Sequence, residues 1–129
     1  MYLDPDCVRD ILLTIEGCDA GEHVTTRTLR EKLQNYTLEQ IEYTCMILGD
    51  GGLLELTQLP MPGRSLSGIK SIERLTYKGH EFLANIRNQN IWTGVKGVAS
   101  KIGSKSLDAL VQIASNVVTE LIKAQFGLR

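Results

Sequence analysis

The chain has 129 residues, of which 43% are hydrophobic and 22% charged, and a formal net charge of −1. That length fits one domain with a modest core and an appendage. A net charge so near zero supplies no overall field to draw the chain onto nucleic acid or an acidic membrane.

The charge is uneven. Residues 1–90 carry nine Lys/Arg against thirteen Asp/Glu, a balance of −4, and residues 91–129 carry five against two, a balance of +3. Three cysteines (Cys7, Cys18, Cys45) without CxxC spacing indicate neither a disulfide framework nor a zinc site. The acidic start, Met1-Tyr2-Leu3-Asp4-Pro5-Asp6, lacks the basic n-region of a secretory signal, so a cytoplasmic location is expected.

Asp4-Pro5 opens the first helix. The Asp side chain accepts from an orphan N–H, and Pro at the first position gives up a donor that had no partner. Val8, Ile11, Leu12 and Ile15 form its apolar stripe, and Gly17 closes it. Thr25 or Thr26 caps a shorter second helix carrying Leu29 and Leu33, with Arg27, Arg30 and Lys32 outward. Thr37 and Gln40 make a capping box for the third helix, with Tyr36 and Ile41 as its hydrophobic staple. Leu38, Ile41, Cys45 and Leu48 face the core, and Gly49-Asp50-Gly51-Gly52 ends the helix. Helices two and three lie at helix-turn-helix spacing.

Leu53–Leu59 and Ile69–Leu75 read as two strands, joined by a Pro/Gly-rich loop too long for a tight hairpin. Thr76 caps a fourth helix with Gly79, Phe82, Leu83 and Ile86 on one face. Gly79 weakens a helix, so it is expected where another backbone approaches closely. After Asn90, Ile91, Trp92, Val95, Val98, Ala99 and Ile102 are helix-spaced, with a joint at Gly103-Ser104-Lys105. Ser106 then caps a long amphipathic helix. Asp108, Gln112, Asn116 and Glu120 line one side, opposite Leu107, Leu110, Val111, Ala114, Val117, Val118 and Leu121. Roughly 30 Å of helix with so regular a polar line is no membrane span.

The fold expected is mainly α (α+β): a winged helix-turn-helix with a two-stranded wing over residues 1–90, then a C-terminal helical extension over 91–129. Catalytic constellations are thin. His80-Glu81 begins like HExxH, but Ala84 stands where the second histidine would be. No phosphate loop follows a strand, and Cys45 sits on a buried stripe as a small hydrophobe. No catalytic, cofactor or metal residue is assigned, and no small-molecule substrate is expected.

Binding signals are of two kinds. Arg27, Arg30, Lys32, Arg64 and Lys70 can grip a nucleic-acid backbone. The third helix, by contrast, presents Glu39, Gln40, Glu42 and Tyr43 and has no Lys or Arg. That removes the counterion release on which DNA affinity depends. Tyr36, Glu39 and Tyr43 fit a protein contact, Trp92 anchors either a partner or the extension itself, and Leu110, Val117 and Leu121 mark the last helix as a self-association surface.

Three blocks carry a resemblance: Asp6-Cys7-Val8-Arg9-Asp10-Ile11-Leu12-Leu13-Thr14-Ile15-Glu16, Leu75-Thr76-Tyr77-Lys78-Gly79-His80-Glu81-Phe82-Leu83, and Ile91-Trp92 with Val95-Lys96. Over nearly its whole length the chain resembles a family of short bacterial, phage and prophage proteins catalogued as a domain of unknown function. The resemblance implies a winged-helix-like body and a mobile-element setting, and brings no catalytic residues. Two functions are expected to compete: a DNA-binding regulator, and a protein-binding adaptor or inhibitor of a host protein. Either is expected to be a homodimer through the last helix.

Overall fold

A computed structural model describes residues 2–60 and 68–127. Its elements follow the order α1 (Pro5–Glu16), α2 (Thr26–Lys32), α3 (Leu38–Asp50), β1 (Leu54–Leu59), β2 (Gly68–Leu75), α4 (Tyr77–Ile86), α5 (Gln89–Ile102) and α6 (Leu107–Gln125). The described residues are thus mostly helical, with one two-stranded antiparallel sheet, an α+β architecture.

Local chemistry sets the helix ends. Asp4 accepts from the Asp6 N–H with Pro5 behind it, Thr25 and Thr28 form one capping box, and Thr37 and Gln40 form another. Thr76 accepts from Gly79, Asn88 from Asn90 and Ile91, and Ser106 from Ala109. Each cap satisfies a backbone donor that would otherwise lack a partner and stabilises by about 1 kcal/mol. Gly103 closes α5 at φ 80°, a left-handed conformation that a glycine adopts without steric cost.

β1 pairs with β2 from Leu54↔Leu75 to Leu59↔Gly68, with two register shifts along the ladder. On the far side of β2, Val24 makes a single antiparallel bridge to Ile72, whose N–H donates to the Val24 carbonyl at 2.9 Å. The loop ahead of α2 is thereby tied to the sheet. The turn between the strands, with Arg64, lies outside the described residues.

One hydrophobic cluster holds the elements together. Ile11 and Leu12 of α1, Ile41 and Leu48 of α3, Leu83 and Ile86 of α4, Trp92 and Val95 of α5 and Leu110 and Ala114 of α6 all belong to it. The cluster runs straight across position 90. At Gly79 the Leu53 carbonyl oxygen lies so close that an added Cβ would sit well under 3.0 Å from it, which is the close backbone approach expected there.

Polar contacts fix α5 against α1. The Trp92 indole N–H and the Lys96 ammonium both donate to one Asp6 carboxylate oxygen at 2.9 Å, and Lys96 stands 5.8 Å over the indole ring. Arg9 donates to the Ile86 and Arg87 carbonyls at the end of α4, and Arg87 pairs with Glu16. Burial raises the Asp6 pKa, but the bonds from Trp92 and Lys96 outweigh it and hold the carboxyl below its ordinary 3.8.

A carboxyl depressed in the folded state contributes stability above its unfolded pKa and loses it as pH falls through the folded value. Melting of wild type and Asp6→Asn by circular dichroism should therefore show a modest Tm gap at about pH 7, modest because the Asp6 side chain is 52% exposed, that narrows as pH falls through and below the ordinary carboxylate range. An unchanged gap would mean that Asp6 is not held ionised by these contacts.

Candidate interaction surface

Two surfaces among the described residues carry the side chains expected to bind. The first is the face of α2 and α3. On α3, Glu39 and Glu42 are exposed, Tyr43, Met46 and Ile47 are half-buried, and the Gln40 side chain is committed to the Thr37 N–H. No Lys or Arg occurs between Leu38 and Asp50. On α2, Arg27 is exposed and Arg30 half-buried.

Lys32 is exposed but bonded to Glu22 at 3.1 Å, which raises the Lys32 pKa and lowers that of Glu22. Lys70 is exposed on β2, and nearby Arg74 pairs with Glu55 at 2.9 Å. Of the basic residues expected to grip phosphates, the described ones, Arg27, Arg30, Lys32 and Lys70, are therefore spread over α2 and β2, and Lys32 is already paired.

Three residues expected at a partner interface are used inside the chain instead. Tyr36 is buried, and its hydroxyl donates to Asp10 at 2.7 Å. Burial and the Asp10 carboxylate push its phenol pKa well up. Trp92 and Leu110 are 1% and 0% exposed. Trp92 does the other job read for it, anchoring the extension onto the body.

Trp92 and Leu110 share one reason: an apolar stripe shows that one side of a helix is covered, and here other elements of the chain itself cover it. Tyr36 stands in the turn ahead of α3 and is held by its bond to Asp10. Tyr43 lies at the edge of an open hollow of about 640 Å³ beside Tyr2, Ser100 and Lys105, where the turn between α5 and α6 meets α3.

The second surface is the outer side of α5 and α6. Val98, Ile102, Ile113, Val117 and Leu121 line an open groove of about 500 Å³, with Asn116 and Glu120 on its rim. Val117 and Leu121 were expected here. Ile113 was missed, because it lies at the edge of the α6 stripe. Val98 and Ile102 were legible as a pair four residues apart, but their shared exposure depends on how α5 is turned.

Among the described residues, no group of three or more His, Cys, Asp or Glu is placed to hold a metal ion. Cys7, Cys18 and Cys45 are free. No helix of the described residues is long and apolar enough to cross a membrane.

Comparison with known proteins places the chain in a family. A protein of Haemophilus influenzae (strain ATCC 51907 / DSM 11121 / KW20 / Rd) described as an uncharacterized protein is 30% identical over 119 residues, covering 91% of this chain and 95% of that relative. No solved structure matches. A family model described as hypothetical protein (DUF2513) matches residues 2–105, a span that includes the three blocks noted above, and the chain belongs to that family.

Proposed function

We propose that the chain is a non-enzymatic recognition module of winged-helix type, working in the cytoplasm, that binds a protein through α3. Three helices followed by two antiparallel strands, with Val24 tied to β2, support the winged-helix reading. One observation carries the choice of partner. The helix that would enter a DNA groove exposes Glu39 and Glu42 and has no cation. Carboxylates facing phosphates repel, and without Lys or Arg there are no counterions to release. The half-buried Tyr43 and Met46 beside them are residue types enriched in protein interfaces. The phage or prophage setting implied by the resemblance fits a small module that acts by occupying a host protein.

A DNA-binding regulator is the second reading. Arg27 on α2 and Lys70 on β2 favour it, since both are exposed and neither makes an ion pair among the described residues.

Capture from nuclease-treated host extract on the immobilised full chain tests the first reading. The bound protein should be lost with Glu39→Lys/Glu42→Lys and kept with Arg27→Ala/Arg30→Ala. Capture indifferent to the α3 charge reversal would overturn it.

A further inference from the structure

A line of like charge runs down the open side of α3. Glu39, Glu42, Met46 and Asp50 follow one another three or four positions apart and so stand on one side of the helix, with Tyr43 beside them. At about 1.5 Å per residue the line from Glu39 to Asp50 is roughly 16 Å long.

All three carboxylates are exposed. They form no ion pair among the described residues, whereas Asp6, Glu16, Glu22, Glu55 and Glu120 are each paired with a lysine or arginine of the chain. Lys78, which shares a hollow with Asp50, is turned instead to the Gly51 carbonyl at 3.2 Å.

The ridge is not charge alone. Tyr43 and Met46 are half-buried, and Tyr43 borders the hollow it shares with Tyr2 and Leu3, where a side chain of a partner can seat. Lys105 lines that hollow too, so cations of a partner are directed to the ridge and away from the hollow.

On the reading that α3 meets a protein, we propose that this protein presents a row of arginine and lysine side chains that otherwise grips a nucleic-acid backbone. On that row α3 and duplex DNA exclude each other.

Charge complementarity carries the choice. A carboxylate taken out of water against a neutral or acidic surface is left uncompensated, and α3 holds no cation of its own. The partner therefore brings the cations. A row of them long enough to meet three carboxylates over this distance is the electrostatic footprint of a phosphate-backbone site. The guanidinium fork fits carboxylate and phosphate alike, so one surface takes either.

Displacement tests the proposal. Nuclease-treated host extract is passed over the immobilised full chain, and the bound protein is challenged with random-sequence duplex DNA. Duplex should release it at concentrations where inorganic phosphate of equal total charge does not. The released protein should retard a labelled duplex that the chain alone leaves unmoved. Wild-type chain should suppress that retardation. Glu39→Gln/Glu42→Gln, which keeps the size of both side chains, should suppress it at least about tenfold less well. If far-UV circular dichroism shows that pair unfolded, Glu42→Gln takes its place.

A protein retained through Glu39 and Glu42 but not released by duplex overturns the proposal and leaves the protein-binding reading standing. Retention indifferent to both carboxylates, no retention at all, or a duplex retarded by the chain alone overturns that reading and the proposal with it.

Discussion

Gly79→Ala is expected to destabilise the protein by about 3 kcal/mol, at the upper end of what one added methyl costs in a packed site. The added Cβ would meet the Leu53 carbonyl oxygen, a backbone atom that cannot swing aside as a side-chain tip can. That carbonyl is also the acceptor for the Thr76 N–H at 3.0 Å, so moving it disturbs the entry to α4. The melting temperature should fall by roughly 10 °C.

Gly94→Ala supplies the internal comparison. Gly94 also lies in a helix, but nothing stands within 4 Å of its added Cβ. That substitution should stabilise by about 0.5–1 kcal/mol through helix propensity alone. Thermal melts of both variants check the pair, and effects of the same sign would contradict the packing described at Gly79.

Trp92→Ala is expected to cost about 3–5 kcal/mol. The ring is 1% exposed and anchors α5 in the shared cluster, while its N–H reaches Asp6 on α1. Trp92→Phe keeps most of the apolar volume and loses the bond, so it should cost less; the bond itself is worth about 1–2 kcal/mol. Urea unfolding followed by far-UV circular dichroism separates the two, since the fluorophore is lost in both. A cost for Trp92→Ala below about 1 kcal/mol would mean that α5 does not depend on this anchor.

What was legible in the sequence was local. Asp4-Pro5, Thr37 with Gln40, Thr76 and Ser106 mark helix starts because each cap is made with a residue two or three positions on. Gly79 was legible because a glycine inside a helical pattern needs a reason, and backbone proximity is a short list of one. The Asn88 cap was overlooked beside the apolar residues that follow it.

What was not legible is long-range. The Trp92–Asp6 bond spans 86 positions, and no pattern in either segment announces the other. The two segments do, however, belong to blocks that carry the family resemblance, and their meeting gives those blocks a physical reason. The Val24–Ile72 bridge rests on one residue in a loop, too short to show a period of two.

Trp92 and Leu110 teach the remaining lesson about the interaction surfaces. Periodicity identifies a face that must be covered, and only the packing says whether the chain itself or something else covers it. Along α6 both answers occur on one stripe, with Leu110 inside the body and Leu121 outside it.

The central claim is that α3 is built to meet a protein and repels a phosphate backbone. Fluorescence anisotropy of a labelled random duplex, titrated with the full chain at about 50 mM salt, tests it most directly. Non-specific DNA binders reach dissociation constants of about 10⁻⁴–10⁻⁶ M at physiological salt and bind more tightly at low salt. The wild-type chain is predicted to give no rise in anisotropy up to about 100 μM. Binding in that range that falls steeply with added salt, and is lost in Arg27→Ala/Arg30→Ala, would contradict the account.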